Sequence, residues 1–456
     1  MKRLLLIHPK TRSGAEGFGQ TESWGLPPLS LAYVAALTPV HWNVRLVDEY
    51  VEKVDFAKEQ ADLVGISTYT SNAGRAYELS KLFRSRNIPV VLGGIHASMV
   101  PEEAMGYADA VVVGEAESVW PNVIWDVENG SLKRRYDGVR LSLENLPIPR
   151  RDLFSSRYEM DVIQTTRGCP FACEFCSVTA FNGTEYRQRP VQAVLDELVT
   201  IKKKIVYFVD DNFFGVSEKH MDRAFRICRG MIDRKMKKIW VTQTSINAAS
   251  NKDLLKIAYE SGCRGLYIGF ESIGPESLEE MHKRVNLSVG TDGYRDAVRR
   301  IHECGICVIG AFILGNDHDR SDVFRKTLDF INKAGVDVPQ FGFLTPFPGT
   351  RLFDRLKTED RIFCGTYPGD WDQYDTDHVV FKPMNLNAVE LVRGFDYIVR
   401  KRFSFLFVIR QGIKTLFVTR SIIAAVLAFN MNRDSIRFYD YDRLFLCARV
   451  GEGPSE

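Results

Sequence analysis

The chain has almost no excess of charge of either sign. Its 456 residues contain 60 Lys and Arg and 58 Asp and Glu, so the formal net charge at pH 7 is +2. Proteins that bind nucleic acid through its phosphates usually carry a strongly basic surface. The composition therefore gives no electrostatic case for a nucleic-acid partner. The length indicates two or three globular domains.

A long uninterrupted hydrophobic run is also missing. The most apolar stretch, residues 403–429, is broken by Arg410, Lys414 and Arg420, whereas a transmembrane helix needs about 20 consecutive apolar residues. We therefore do not expect this stretch to span a membrane. It is typical of a helical layer packed on the protein or of an interfacial helix at a membrane surface. Residues 1–7 are too short for the apolar core of a signal peptide and predict a buried strand.

Cysteine is scarce and clustered. There are nine cysteines, and none precedes Cys169. An odd number of clustered thiols favours a reducing cytoplasm over a disulfide framework. Cys169, Cys173 and Cys176 have the spacing C-x3-C-x2-C. Three thiolates on one loop can each hold one iron of a four-iron cluster and leave the fourth iron open to another ligand.

Zinc is the main alternative for such a loop. A structural zinc site closes with four ligands, commonly as two separated pairs. The nearest second pair is Cys304 and Cys307, which lead into an apolar run where small buried side chains are expected. The sequence therefore favours an iron–sulfur cluster over zinc, and also over a coincidental group of core cysteines.

From residue 3 to about 130, short apolar runs alternate with amphipathic stretches. This alternation predicts a parallel sheet with helices on both faces, a doubly wound Rossmann-like α/β fold. The predicted strands are 3–7, 44–48, 63–67, 89–93 and 110–113, and the clearest helices are 29–37 and 73–84. Ligands of this fold bind beyond the carboxyl ends of the strands. The residues found there are Asp48, Thr68, Tyr69, Gly93, Gly94 and Glu115.

A second series of strands follows a connecting segment at residues 136–160, which shows little periodicity and reads as a linker. Its predicted strands are 162–166, 205–209, 239–244, 265–270, 307–314 and 339–344, each followed by a helical stretch. Six such units fit a partial (β/α)6 barrel, whose chemistry lies on the loops after the strands. We expect domains at residues 1–135 and 161–350, and a mainly helical region at 351–456 that covers the barrel or contacts substrate or membrane.

Polar side chains recur at the carboxyl ends of the predicted barrel strands. The cysteine loop follows the first strand, and the later ends carry Asp210, Asp211, Gln243, Ser245 and Glu271. Any one of them could be a helix cap or a turn residue. Their recurrence at one end of one barrel indicates a site at that end.

Together, the segment from Thr165 to Cys176 and the six strand–helix units resemble the radical S-adenosylmethionine (radical SAM) superfamily. With the preceding doubly wound domain, the arrangement resembles the cobalamin-binding branch, or class B methylases. The resemblance implies that Cys169, Cys173 and Cys176 hold a 4Fe-4S cluster whose open iron chelates S-adenosylmethionine. It implies further contacts to S-adenosylmethionine from Phe175, Asp210, Asp211, Gln243, Ser245 and Glu271, although the family's usual Gly-Gly-Glu after the second strand is absent.

The same resemblance assigns cobalamin to the first domain, with Asp48, Thr68, Tyr69, Gly93, Gly94 and Glu115 as the candidates for contact. Many cobalamin domains carry Asp-x-His-x-x-Gly after their first strand, and this histidine ligates cobalt from below. Residues 8–14 here read His-Pro-Lys-Thr-Arg-Ser-Gly, so the motif is absent. Bound cobalamin is therefore expected without that ligand. The alternative is a domain that keeps the fold and has lost the cofactor.

The implied reaction is reductive cleavage of S-adenosylmethionine to a 5'-deoxyadenosyl radical, with methyl transfer from cobalamin to an unactivated carbon of a lipid, terpenoid, tetrapyrrole or natural product. A flavodoxin or ferredoxin is implied as electron donor. Contact with the inner face of a membrane is an option if the apolar carboxy-terminal region is exposed. The alternatives are a radical rearrangement, cyclisation or coupling, and a non-catalytic iron–sulfur or cobalamin sensor. A methylthiotransferase would need a second cysteine triad before Cys169, and none is present.

Overall fold

The structure is a computed structural model that describes residues 1–11 and 25–439. Its amino-terminal part alternates strands and helices, as predicted. In chain order the elements are β1 (Arg3–His8), α1 (Leu29–Leu37), β2 (Asn43–Asp48), β3 (Leu63–Ser67), α2 (Ala73–Arg84), β4 (Val90–Gly93), α3 (Ile95–Met99), α4 (Pro101–Tyr107), β5 (Ala110–Val113), α5 (Trp120–Glu128) and β6 (Arg135–Asp137). The strands form one parallel sheet in the order β2-β1-β3-β4-β5-β6.

Both faces of this sheet are covered, which explains its continuous apolar strands. In β1, Leu4 and Leu6 pack into one hydrophobic cluster, and Leu5 and Ile7 pack into another on the opposite face. The strands β1 and β3 are neighbours, and the chain extends the sheet in opposite directions from them, to β2 on one side and to β4 on the other. The strand order therefore reverses between β1 and β3. Doubly wound folds bind their ligands at this switch point, beyond the carboxyl ends of the strands. The predicted fold class is confirmed.

Strand β6 was not predicted, and it lies across the boundary expected between residues 135 and 136. It pairs in parallel with β5. Its three residues are exposed, buried and exposed in turn, so only Tyr136 could contribute to an apolar run. The Tyr136 hydroxyl donates to Asp126 at 2.6 Å. The expected linker therefore begins inside the sheet. The strand was not predicted because a single buried tyrosine is too weak a pattern to indicate one.

The second part of the chain is the predicted barrel. Its elements are β7 (Met160–Ile163), β8 (Thr166–Arg167), α6 (Ser177–Asn182), β9 (Arg187–Gln188), α7 (Val191–Thr200), β10 (Ile205–Phe208), α8 (Glu218–Asp233), β11 (Ile239–Thr244), α9 (Lys252–Glu260), β12 (Cys263–Glu271), α10 (Pro275–Glu280), α11 (Arg284–Glu303), β13 (Cys307–Leu314), α12 (Val323–Ala334), β14 (Val338–Phe343) and α13 (Arg351–Thr358). Six strands pair in parallel in the order β14-β13-β12-β11-β10-β7. The short strands β8 and β9 form a separate antiparallel ribbon that was not predicted.

The carboxy-terminal helices are α14 (Ala388–Arg402), α15 (Phe405–Thr419) and α16 (Ile422–Phe438). Helix α16 packs on the inner face of the barrel sheet, opposite the helix layer, where Ala428 joins Val241, Ile309 and Val338. The Tyr439 hydroxyl accepts from the Phe341 N–H at 3.0 Å and donates to the Phe341 carbonyl at 2.9 Å. The last described turn therefore covers the open edge of β14.

Between α13 and α14 the chain returns to the first domain. Trp371 is 2% exposed and its indole N–H donates to Glu103 of α4 at 3.0 Å. This segment therefore ties the first domain to the barrel, and its Val379 and Leu386 join the barrel core. Among the residues that the structure describes, no helix is both long enough and apolar enough to cross a membrane.

Candidate active site

The cysteine loop connects β8 to α6 at the mouth of the barrel. Gly168, at its start, has φ +87°, and a Cβ there would lie 2.1 Å from the carbonyl oxygen of Glu185, so only glycine fits. The Cys169 N–H donates to the Gly183 carbonyl at 3.3 Å. The Thr179 hydroxyl donates to the Phe171 carbonyl at 3.1 Å. The backbone of the loop is thus fixed before any ligand binds.

Burial favours the neutral thiol at Cys169 and at Cys173. It raises the pKa of Cys169 to about 12 and also raises the pKa of Cys173. Iron binds the thiolate, so metal binding must displace the proton. The positive charge of Lys283 opposes the effect of burial at both cysteines. Three soft donors beside one buried cation suit an anionic iron–sulfur cluster, and the residues present therefore fit that group.

Lys283 was not predicted as a site residue. Its ammonium group donates to Glu271 at 2.7 Å, and the two side chains are 13% and 9% exposed. Burial alone would lower the pKa of Lys283, but the negative charge of Glu271 raises it above its usual value. Lys283 lies directly before α11 and does not follow the end of a strand. The pattern of polar residues after strands could therefore not identify it as a site residue. Its pairing with Glu271 places a cation beside the cysteines.

Glu271 reaches this position through an irregular strand end. It has φ +60°, and the register between β12 and β13 shifts between Gly269 and Glu271. A bulge re-aims side chains, and a non-glycine residue in the left-handed region costs about 1–3 kcal/mol. The surrounding fold therefore holds Glu271 in a strained conformation that turns it toward Lys283.

Arg355 of α13 links the cysteine loop to neighbouring elements of the barrel. It contacts three carboxylates, from Glu174 at 2.8 Å, Glu280 at 2.8 Å and Asp317 at 2.9 Å. Glu174 lies between two of the cysteines. Phe175 is half-buried and packs against an apolar group that includes Leu352 and Phe381. These contacts join the loop to the ends of later barrel strands.

The two carboxylates after β10 have different surroundings. Asp210 is fully buried and accepts from the Thr165 N–H at 2.5 Å, the Thr165 hydroxyl at 2.6 Å and the Thr166 N–H at 2.7 Å. Its oxygens therefore fix the start of the cysteine segment. From the described residues, Asp211 accepts only long bonds, from Gly168 and Asn182, both at 3.3 Å. Burial, reinforced by Asp210, raises the pKa of Asp211 to about 6. Asp211 is the carboxylate with spare capacity for a ligand.

Gln243 and Ser245 come together with the loop after β10. The Asn212 side-chain amide donates to the Ser245 hydroxyl at 2.6 Å, and the Thr244 hydroxyl donates to Asn212 at 3.2 Å. Gln243 lies one residue earlier, half-buried on the inner face of β11. Asn212, which follows Asp210 and Asp211 in the chain, therefore organises this part of the mouth.

In the first domain, several predicted ligand contacts are already used internally. The Thr68 hydroxyl donates to the Gly93 carbonyl at 2.8 Å and accepts from the Ala97 N–H at 3.1 Å. Gly94 has φ +93°, and a Cβ there would lie 2.7 Å from the backbone of Thr68. By contrast, a Cβ on Gly93 would meet only ordinary contacts, with Val112 at 3.8 Å nearest. Gly93 is therefore the more open of the paired glycines.

Asp48 also has partners. It is 3% exposed, accepts from the Tyr50 N–H at 2.9 Å and from the Tyr158 hydroxyl, and lies 3.4 Å from the His8 ring. Although burial opposes it, the contact with His8 lowers the pKa of Asp48. The carboxylate is thus placed to orient His8 and Tyr158. A direct contact with cobalamin stays a prediction.

Glu115 joins the two domains. Its carboxylate accepts from Arg187 of β9 at 3.0 Å and lies 3.2 Å from Arg167 of β8. Arg167 stands two residues before Cys169 and also pairs with Glu117 at 2.5 Å. The side chain of Glu115 is only 4% exposed. The carboxylate therefore clamps the first domain to the ribbon that leads into the cysteine loop. A contact of Glu115 with cobalamin stays a prediction.

A cavity of about 250 Å³ lies where the domains meet. His8 and Tyr69 contribute to its wall from the ends of β1 and β3, Ser177 from the residue after Cys176, and Phe347 from the loop after β14. The switch point of the first sheet thus opens toward the cysteine loop. Pockets for drug-sized ligands occupy roughly 300–1,000 Å³, so in this conformation the cavity receives only part of a corrin cofactor. Its position fits cobalamin.

A titratable group in the cavity wall was missed by the sequence analysis. Asp375 and Asp377 line the cavity, and the Asp375 carboxylate bonds the His378 ring at 2.9 Å. Burial, reinforced by Asp375, raises the pKa of Asp377 to about 8. Although burial opposes it, Asp375 raises the pKa of His378. Asp377 can therefore hold a proton at neutral pH beside the cavity.

Fold and site together define a class: an enzyme whose partial barrel carries a three-cysteine cluster loop that faces the ligand edge of a doubly wound domain. Family models agree. The B12 binding domain matches residues 25–124, and the Radical SAM superfamily matches residues 163–331.

Comparison with characterised proteins narrows the class. The chain is 32% identical over 410 residues to bacteriochlorophyllide d C-12(1)-methyltransferase of Chlorobaculum tepidum, with 86% of each chain covered. It is 28% identical to the hopanoid C-2 methylase of Rhodopseudomonas palustris, over 74% of this chain and 65% of that protein. In structure it resembles the cobalamin-dependent S-adenosylmethionine radical enzyme OxsB, with a TM-score of 0.71, 15% identity, and 97% and 75% of the two chains covered.

The chain belongs to the cobalamin-binding radical SAM family of methyltransferases. This membership confirms the predicted family, its enzymatic character and its cofactors, which are a 4Fe-4S cluster, S-adenosylmethionine and cobalamin. The individual contacts to S-adenosylmethionine and cobalamin stay predictions.

Proposed function

We propose that this protein methylates an unactivated carbon of a hydrophobic tetrapyrrole or polycyclic terpenoid. One observation carries the proposal: Ser177, which directly follows the last cysteine of the loop, lines the same cavity as His8 and Tyr69 of the first domain. Methyl transfer from cobalamin to a carbon radical needs both cofactors to reach one substrate. A single cavity between the cluster loop and the ligand edge of the first sheet supports this arrangement.

The bound cofactors supply the electron, the radical and the methyl group. The protein has to hold them and exclude water. We assign Cys169, Cys173 and Cys176 to the cluster. We assign Lys283 to the carboxylate of S-adenosylmethionine, because it is a largely buried cation beside the cysteines, and Asp211 to its amino group. Phe175, Gln243, Ser245 and Glu271 complete the proposed set of contacts.

For cobalamin, the open glycine and the cavity wall are the favoured contacts. Gly93 leaves room for a close approach, and Tyr69, 52% exposed, reaches into the cavity. Gly94, Thr68, Asp48 and Glu115 support these contacts through their internal bonds. Removal of the usual histidine ligand would weaken retention of a methyl group on cobalt, which is consistent with a methyl donor.

Two properties of the cavity support the substrate class. Ile95, Met99, Phe347 and Pro348 give it an apolar wall. Asp377 adds one group that donates a hydrogen bond when protonated. An apolar wall with a few polar groups is typical of sites for hydrophobic ligands. The relatives act on a bacteriochlorophyllide and a hopanoid, which are large apolar molecules of this kind.

The reaction also needs a low-potential electron, which we assign to a flavodoxin or ferredoxin in the cytoplasm. The clustered free thiols of the cluster loop support a reducing compartment. For a substrate this apolar, we place the enzyme at the inner face of a membrane.

The test is anaerobic purification, reconstitution with iron, sulfide and cobalamin, and incubation with S-adenosylmethionine, flavodoxin and candidate tetrapyrroles or hopanoids. We expect about four irons and one cobalt per chain, and a product heavier by one methylene unit. Iron without cobalt would contradict methyl transfer. A product of unchanged or lower mass would instead support rearrangement, cyclisation or coupling, and absence of cleavage under reductant would support a sensor.

A further inference from the structure

Helix α15 buries a mostly polar face against the barrel and exposes its apolar face. Its buried positions include Gln411, Thr415 and Thr419, which are between 0% and 5% exposed. The Thr415 hydroxyl donates to the Asp337 carboxylate at 2.6 Å, and the Gln411 amide lies 3.5 Å from the same group. The helix is thus attached to the barrel largely through polar contacts. Val408, 1% exposed, is the one apolar residue among the buried positions of this helix, and the largest apolar side chains point the other way.

Those side chains continue onto the first turns of α16, and together they form what we call the hairpin surface. Its members share high exposure, from 37% to 79%: Phe405, Leu406, Ile409, Ile413, Leu416, Phe417, Val418, Ile422, Ile423 and Val426. Single exposed apolar residues are normal on a protein, but a contiguous patch on a helical hairpin indicates a surface that meets something other than water.

Charge indicates what that surface meets. Residues 397–433 contain seven Lys and Arg and no Asp or Glu. Arg410, Lys414 and Arg420 are exposed along the hairpin. Apolar side chains interleaved with cations and no anions are typical of helices that lie in the headgroup region of an anionic membrane. A symmetric dimer through this surface would instead bring two cationic faces together.

We propose that the hairpin surface is an interfacial anchor for a membrane that contains anionic phospholipid. The 15 residues of α15 span about 22 Å, less than the hydrocarbon core of about 30 Å. The contact therefore lies in one leaflet and does not cross. The anchor goes beyond the proposed methylation, and its existence does not depend on that reaction.

The anchor also fixes an orientation. Helix α15 binds Asp337, which precedes β14, and Leu427 of α16 approaches Gly265 near the start of β12. The hairpin thus lies at the amino-terminal end of the barrel strands. The cysteine loop lies at the other end. On a membrane, the mouth of the barrel faces away from the bilayer.

The experiment is flotation of the full chain, without substrate, on vesicles of phosphatidylcholine alone and on vesicles of equal parts phosphatidylcholine and phosphatidylglycerol. The test variant is Leu406→Ser/Phe417→Ser/Ile422→Ser. Its three sites are 79%, 76% and 72% exposed, so the changes spare the core. A matched control, Val40→Ser/Trp125→Ser/Met384→Ser, changes exposed apolar residues elsewhere, at 98%, 60% and 70%.

We expect the wild type and the control to float with anionic vesicles, and the test variant to bind about tenfold or more weakly. Arg410→Gln/Arg420→Gln should cost about fivefold per cation, and salt should remove the difference. Iron content after reconstitution checks that each variant is folded. The proposal is overturned if the wild type binds neither kind of vesicle, or if the serine variant binds anionic vesicles as well as the wild type. It is also overturned if light scattering shows that the wild type and the control are dimers while the serine variant is a monomer. None of these outcomes bears on methylation, which product mass tests separately.

Discussion

The barrel mouth and the edge of the first domain present different kinds of group to a cofactor, and only the groups at the mouth can be recognised from their side chains. At the mouth, three cysteines and the Lys283–Glu271 pair present reactive or charged groups. At the edge of the first sheet, Thr68, Asp48 and Glu115 are occupied by internal bonds. What remains for a ligand there is mostly shape: Gly93, the cavity and Tyr69. A covalent or charged ligand needs particular atoms, whereas a large neutral ring system mainly needs room.

The strongest way to test this difference is Cys173→Ala. We expect the iron content to fall to background and reductive cleavage of S-adenosylmethionine to fall by about a thousandfold or more, since the loop would have two ligands for a cluster that needs three. Cobalamin should still bind. Cys304→Ala is the matched control, since that thiol is also buried but lies far along the chain at the end of α11. Cleavage retained by Cys173→Ala would refute the cluster assignment.

The reciprocal change is Gly93→Trp. If the first domain recognises shape, filling the open glycine should lower cobalamin affinity about a hundredfold or more while the iron content stays at wild-type level. Cobalt per chain, measured beside iron, gives the answer. Gly93→Ala should bind cobalamin normally, because its Cβ would meet only Val112 at 3.8 Å. Unchanged cobalt in the tryptophan variant would place the pocket elsewhere.

Within the mouth, Lys283→Met tests whether charge or only packing matters. We expect about a thirtyfold rise in the Kd for S-adenosylmethionine, because a hydrogen bond to a charged group is lost. The cluster should still assemble. Removal of one partner also leaves Glu271 buried and unpaired, so the double variant Lys283→Met/Glu271→Gln separates lost binding from lost stability. Lys252→Met is the exposed control, and an unchanged Kd would remove Lys283 from the site.

The smallest effect is expected where the two regions meet. Asp377 has a pKa of about 8 in the folded protein, well above the value of about 3.9 in an unfolded chain. The folded state therefore holds the proton more tightly. Its contribution to stability is complete below about pH 4 and is lost as the pH rises toward about 8.

Thermal unfolding between those limits checks the prediction. Asp377→Asn should flatten the fall of Tm with rising pH, and Asp292→Asn, at an exposed position, should leave it unchanged. The raised pKa of His378 acts in the same direction, so part of the slope should survive in Asp377→Asn. A wild-type Tm that rises over this range would contradict the assignment.

Most of the fold could be predicted from the sequence, because apolar runs mark buried strands wherever both faces of a sheet are covered. Strands β3, β5, β11 and β13 match their predicted ranges at both ends. Strand β6 could not be predicted, since Tyr136 alone carries its burial. The exposure of the apolar face of α15 was also hidden, because a periodic pattern does not say which face points inward.

The site was predictable where residues lie close together in sequence or at strand ends. The three cysteines meet both conditions. Lys283 meets neither, since its partner Glu271 is twelve residues away and a lysine before a helix is common on protein surfaces. Asp375 and Asp377 lie outside the repeating units altogether. Glu115 follows a strand end as predicted, but the sequence could not indicate that its carboxylate also joins the two domains.

The packing of α16 has a consequence for how the protein is made. The strands of the barrel leave the ribosome well before the helix that fills their inner face, since α16 is the last described element. Until Ile422–Phe438 has been synthesised, Val241, Ile309 and Val338 lack their cover, and the β14 edge lacks Tyr439. We therefore expect nascent chains to expose the apolar inner face of the sheet and an unpaired strand edge, both of which favour aggregation. Chaperone binding during translation should then raise the yield of folded protein.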